Sequence, residues 1–178
     1  MPQPTVFSAG PSGPWIIESV RAIRGENLSM APRLGSGETA PPGSFWHLQG
    51  TASYERYTQR PEKTELVAIQ PGLGRHEASY GALIPIAKDD AWWAMTPEER
   101  RSIFEEQSKH IAIGFKALPA IARKLYQSRD LGEPFDFLTW FEFAPEHAGV
   151  FDQLLKDLRA TREWDFVSRE VEIRVRRA

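Results

Sequence analysis

The segment Phe135–Phe143, FDFLTWFEF, constrains the fold more than any other stretch of the chain. If it is a strand, alternation puts Phe137, Thr139 and Phe141 on one side and Leu138, Trp140 and Glu142 on the other. A strand with large apolar side chains on both sides does not belong on a surface. It is sandwiched between two layers, or between a layer and a ligand.

The remaining segments supply candidates for those layers. Trp15–Arg24 has the β-branched and aromatic character of a strand. Residues 44–58 read as a long strand bent at Gly50. Tyr80–Ile86 reads as a strand, and Pro85 near its end argues against a central, fully paired position there. Val171, Ile173 and Val175 alternate with Glu170, Glu172, Arg174 and Arg176, so Arg169–Arg177 predicts a strand with one wet face. Helices are expected at Pro61–Ile69, Thr96–Leu118, Pro119–Ser128 and Pro145–Arg159. The last of these turns Phe151, Leu154, Leu155 and Leu158 inward. Pro2–Pro14 is expected to drape over the surface or a partner, and Ala31–Gly43 to be a loop. This order of elements fits an α+β fold better than a parallel doubly wound sheet. No glycine-rich phosphate loop opens any helix, and Gly72 and Gly74 form a lone G-x-G that reads as a turn.

Composition narrows the function. A chain of 178 residues with net charge −2 predicts one domain, residues 1–178, and no nucleic-acid surface. Cysteine is absent, which removes disulfides, zinc–thiolate sites, iron–sulfur clusters and a thiolate-ligated haem. The N-terminus lacks the basic start and apolar core of a secretory signal, and no apolar run approaches the ~20 residues of a membrane span. The expectation is a cytoplasmic protein.

Four histidines are then the strongest soft-metal or haem ligands on offer. His110 stands apart. Its helix begins well, with Thr96 as N-cap, Pro97 in the first turn and Glu99 completing a capping box. Ile103, Ile111, Gly114 and Leu118 define the inward stripe, and His110 points with it. Such a histidine is either a satisfied core residue or a ligand. His47, His76 and His147 have the settings of structural or solvated residues. Arg123 follows thirteen residues later, about 20 Å along a straight helix. Pro119 breaks the pattern, so the chain can bend and return Arg123 towards His110. Taken alone, Arg123 reads as a solvated arginine beside Lys124.

His110, Arg123 and the block SRDLGEPFDFLTWFEFAPEH resemble the chlorite dismutase family, in its short dimeric lineage. The resemblance continues through ERYTQRPEKTELVAIQPGL, ALIPIAKDDAWWAM and KHIAIGFKALPAIARKL, from about Gly13 to the C-terminus. It implies ferredoxin-like halves forming a dimeric α/β-barrel-type fold, with haem b in the C-terminal half. It also implies decomposition of chlorite to chloride and dioxygen with O–O bond formation. In the resemblance His110 matches the iron ligand and Arg123 the arginine on the opposite side of the haem. Glu163 matches the carboxylate that hydrogen-bonds the ligand histidine, and Gln70 a residue that positions the arginine. Lys88 and Trp92 match contacts to the haem and its propionates, and Tyr57 matches a further cofactor contact.

The chemistry suits these types. A ligand imidazole needs its second nitrogen held by a carboxylate or carbonyl. A planar, always protonated guanidinium attracts chlorite and confines a transient hypochlorite better than an ammonium. Without the resemblance, Glu163 reads as a surface acid, Gln70 as a polar helix end, Lys88 as a loop residue and Trp92 as a core aromatic. Two other readings stand beside this one. A coproheme decarboxylase on the same scaffold typically lacks the arginine and uses a tyrosine near a propionate; Arg123 argues against it, while Tyr57 and Tyr126 keep it open. The other reading is a non-catalytic haem-binding or haem-handling protein.

Overall fold

The computed structural model describes residues 3–53 and 72–178. Eight strands lie among them: β1 (Thr5–Gly10), β2 (Trp15–Arg24), β3 (Arg33–Gly37), β4 (Trp46–Ala52), β5 (Tyr80–Lys88), β6 (Ile121–Gln127), β7 (Phe137–Phe143) and β8 (Val167–Arg177). They close a barrel in the order β1-β3-β2-β8-β5-β7-β6-β4. The neighbouring strands pair antiparallel. Four α-helices of the described residues lie in the second half: α1 (Asp90–Ala94), α2 (Pro97–Arg101), α3 (His110–Ala117) and α4 (Ala148–Arg159). The architecture is α+β and predominantly antiparallel, as the order of elements predicts. Among the described residues no helix is long and apolar enough to cross a membrane.

β7 explains the two layers. Leu138 and Trp140 join Phe7, Leu48, Leu83 and Ile173 inside the barrel. On its other face Phe141 and Phe143 meet Phe151, Leu154 and Leu158 of α4. Phe151 is fully buried, with its ring centroid 4.9 Å from that of Phe141 and 4.6 Å from that of Phe143. The helices of the second half therefore cover the outside of the barrel wall, and α4 turns inward the four residues expected of it.

Five local expectations are corrected. The N-terminal stretch does not drape: its centre is β1, with Phe7 and Ala9 buried in the barrel between β3 and β4. The supposed loop at Ala31–Gly43 contains β3, whose Leu34 is core. β5 is central despite Pro85, pairing with β7 on one side and β8 on the other. The ladder to β8 passes from Leu83 to Ile86, and so asks nothing of the proline at position 85, which lacks an amide hydrogen. The long helix is interrupted. Its capping box forms as expected between Thr96 and Glu99, but after α2 the backbone widens to a π-helix at Ser102–Gln107. Lys109 then takes a left-handed conformation, φ 57°, before α3 begins. Finally, Pro119–Ser128 is not a helix. Ile121–Gln127 is β6, paired along its length with β7. Tertiary pairing overrides helix propensity here, because every residue from Ile121 to Gln127 pairs in the ladder to β7.

The polar face expected of β8 is wet only at its end, where Arg176 is exposed. Glu170 and Glu172 are buried. Arg159 of α4 reaches Glu170 at 2.7 Å and Glu172 at 2.9 Å. Arg174 adds a 2.9 Å bond to Glu172. Burial opposes ionisation of Glu172, but Arg174 and Arg159 outweigh it and hold its carboxyl below the usual range. The strand expected at residues 44–58 begins as β4. Its remainder from position 54 onwards, and the helix expected at Pro61–Ile69, lie outside the described residues.

The half-buried Arg159 dictates a stability test. Arg159→Met should deprive two buried carboxylates of their shared cation and destabilise the protein by about 3–5 kcal/mol at pH 7. Glu172 titrates lower in the folded than in the unfolded state, so its stabilisation is present above the unfolded value of 4.5 and is lost as pH falls through the folded value. Urea unfolding at pH 7 and pH 4, as chosen conditions, should show the gap between variant and wild type narrowing in acid. A gap that is small at neutral pH, or that stays constant, contradicts the account.

Candidate functional site

A cavity opens where the helices stand off the outer wall of the barrel. It is a cleft partly open to solvent, with a volume of about 160 Å³. One wall is sheet: Ile84, Ile86 and Lys88 from β5, Phe137, Thr139 and Phe141 from β7, and Ile121, Arg123 and Leu125 from β6. The facing wall is helical, with His110, Ile111 and Gly114 of α3 and Leu154, Leu155 and Leu158 of α4. The strand identity of β6 is what delivers Arg123. In a strand Ile121, Arg123 and Leu125 share one face. The arginine thus enters the cavity from the sheet while His110 enters from the helices.

His110 begins α3, immediately after the left-handed Lys109. The carboxylate of Glu105, reaching forward from the π-helix, accepts the amide of Ile111 at 2.7 Å and caps the new helix. The Phe104 ring stacks on the imidazole at 4.3 Å between centroids. Glu163 sits in the 3-10 turn Arg162–Phe166 between α4 and β8. Its Oε1 is 2.6 Å from His110 Nδ1, its Oε2 accepts from Lys88 Nζ at 2.9 Å, and its amide donates to Ser108 Oγ at 2.9 Å. Burial alone drives a carboxyl upward. The charges of His110 and Lys88, with their hydrogen bonds, overcome it and hold Glu163 at about 2. An ionised carboxylate only accepts, so the proton of the short contact belongs to Nδ1. With Nδ1 the donor, Nε2 is the nitrogen left to face a ligand.

Lys88 lines the cavity, but its ammonium is committed elsewhere. It pairs with Glu163, with both side chains about 5% exposed, and lies 3.7 Å over the Trp92 ring. Burial lowers its pKa although Glu163, Asp136 and Asp89 pull the other way. Lys88, matched by the resemblance to a haem contact, thus lines the cavity while its ammonium holds Glu163. Trp92 and Trp164 also line the cavity. Trp93 instead donates to Asp136 at 3.1 Å, and Trp140 lies inside the barrel. His47, His76 and His147 are not among the lining residues. Tyr57 and Gln70 lie outside the described residues.

Sequence reasoning missed Ser108, Asp136 and Glu170. Asp136 accepts the Lys88 amide at 2.7 Å, and Glu170 accepts Trp164 Nε1 at 2.8 Å. No spacing rule points to them, because each acts on a partner distant in sequence or hidden by the fold. Thr139 was visible as a strand residue facing the layer or ligand, though not as a site residue.

The donor set fits a flat iron porphyrin. Among the described residues no group of three His, Cys, Asp or Glu is arranged to hold a bare metal ion. The cavity instead offers one imidazole, fixed through Nδ1, in an apolar slot. A metal already held by a macrocycle would need only one donor from the chain, and His110 would supply it. Gly114, one turn after His110, adds room: a Cβ there would meet nothing within 4 Å.

The Lys88–Glu163 pair makes a prediction independent of any cofactor. Glu163→Gln should strand a buried ammonium and cost about 3–5 kcal/mol of stability. Combining it with Lys88→Met should recover much of that loss. Chemical denaturation of the two single variants and the double variant gives the coupling directly. Additive penalties would mean the pair is not coupled.

The matches to known proteins agree with this geometry. The family model described as chlorite dismutase matches residues 36–177. A dimeric chlorite dismutase from Nitrobacter winogradskyi is 56% identical and superposes with a TM-score of 0.93 over 98% of this chain and 99% of that one. Two structures of chlorite dismutase from Candidatus Nitrospira defluvii, one a variant in complex with cyanide and the other an arginine-to-lysine variant, give TM-scores of 0.62 at 27% identity. This chain is covered to 82% in those matches and covers 56% of each of them. Chlorite dismutase from Ideonella dechloratans is 32% identical over 84 residues, which is 47% of this chain and 27% of that protein. With the family model spanning most of its length, the chain belongs to the chlorite dismutase family.

Proposed function

We propose that the protein decomposes chlorite to chloride and dioxygen, with haem b held through His110. The observation that carries this reading is the opposition of one carboxylate-anchored imidazole and one guanidinium across a single cavity. When bound, haem supplies the redox chemistry that transfers oxygen and joins the two oxygen atoms. The chain supplies the rest. Glu163 fixes the His110 tautomer and strengthens it as a donor. Lys88 keeps Glu163 ionised. Arg123 carries a permanent positive charge into a largely apolar wall, where low polarisability makes it effective on an anion. Its planar fork draws chlorite in and retains hypochlorite until the O–O bond forms. Tyr126 packs inside the barrel against Phe7, which weakens its candidacy as the tyrosine of a decarboxylase.

The proposal includes a single domain over residues 1–178, ferredoxin-like halves, a homodimer and a cytoplasmic location. The halves are supported by strand order. Around the barrel, β4-β1-β3-β2 and β8-β5-β7-β6 each run fourth, first, third, second. The dimer is supported by the dimeric Nitrobacter relative. Light scattering at micromolar concentration should return twice the 20.2 kDa chain mass; a monomer contradicts it.

Dioxygen release on an electrode, with chlorite added to purified haem-loaded protein, tests the activity. His110→Ala should lose the iron–imidazole signature in resonance Raman, since the chain has no thiol to replace it. Arg123→Ala should lower kcat/KM roughly ten- to a hundredfold, while that signature persists. Arg123→Lys should keep more of the rate yet leak trappable hypochlorite and bleach its haem sooner. Wild-type turnover and haem lifetime in Arg123→Ala would refute the arginine's role.

A further inference from the structure

The sheet wall of the cavity is a grid set by strand register. β7 runs between β5 and β6, and Thr139 is the middle one of its three cavity-lining residues. Ile84 stands opposite it on β5 and Leu125 on β6. Phe137 and Phe141 precede and follow it on the same face, and all of these line the cavity. Arg123 stands opposite Phe141, which makes it the diagonal neighbour of Thr139. That offset is roughly 7–8 Å between backbones, within reach of a long side chain.

A hydroxyl therefore sits at the centre of an apolar wall. Valine has nearly the same shape and comparable strand propensity, with no polar group to desolvate. Packing alone favours valine. No hydrogen bond to another described residue holds the Thr139 hydroxyl, and Thr139 lines the cavity together with Arg123 and the helical wall.

We propose that Thr139 is a second anion-binding residue, whose hydroxyl donates a hydrogen bond to an oxygen of chlorite and orients it. This rests on reading the cavity as the chlorite site. Arg123 supplies charge and a planar fork, but it addresses the anion from β6 alone. A neutral donor at a fixed point of a rigid sheet adds direction. The pair discriminates between anions by where they accept, not only by how strongly they are charged.

The test compares haem-loaded wild type, Thr139→Val and Thr139→Ser. Fluoride, a compact anion that binds ferric haem and accepts hydrogen bonds, is titrated by absorbance, and kcat and KM for chlorite are measured separately. Thr139→Val should bind fluoride about five- to tenfold more weakly and raise KM for chlorite, with haem content and the iron–imidazole signature unchanged. Thr139→Ser should stay near wild type. An active wild type whose valine variant binds fluoride equally well overturns this inference alone. Equal losses in valine and serine variants also overturn it, since they would report packing. A wild type that neither takes up haem nor releases dioxygen overturns the underlying reading and this inference together.

Discussion

The carboxylate of Glu163 is the contact on which the site depends. It is buried, so it persists as an anion only with partners on both oxygens. Those partners come from different layers. Lys88 ends β5 in the barrel wall, and His110 starts α3 outside it. One ion thereby ties the helical cover to the barrel, and it sets the orientation of the imidazole as a by-product. Ser108 completes the arrangement by holding the amide of the same residue. The widened turn before Lys109 is where the backbone takes up the geometry this demands. π-type turns are frequent where function outranks regularity.

A second buried network stabilises the opposite part of the cover. Arg159 crosses from α4 to Glu170 and Glu172 of β8. Glu170 in turn accepts the indole of Trp164, whose ring is stacked with His110 at 6.2 Å between centroids. The two networks differ in purpose. The first presents a donor to the cavity, while the second keeps α4 and the turn that carries Glu163 in register with the sheet. Between them the helices are held off the wall, leaving a slot where side chains would otherwise interdigitate.

Much of this was legible in local pattern. FDFLTWFEF declared a strand between two layers, and the structure puts the barrel core on one side and the cavity on the other. TPEE declared a helix start, and the capping box forms. Other elements misled for definite reasons. Pro119 looks like the beginning of a helix, yet IARKLYQ pairs with β7, because a long antiparallel ladder outweighs local helix propensity. Glu170 and Glu172 looked like a solvent face, since nothing local reveals that Arg159 will lie across them. Pro85 looked like an edge signal, yet the ladder skips it.

By itself the sequence determined the periodicities, the absence of thiols, the single well-placed histidine and the resemblance that associates it with Arg123. These are properties of neighbours in the chain. Only the tertiary structure decided that Arg123 faces the cavity, that Lys88 pairs with Glu163, and that Thr139 stands at the centre of the wall. Each depends on strand register or on the pairing of residues far apart in sequence. Such pairings are selected by barrel closure and by the cost of burying charge without a partner, and neither is a local quantity.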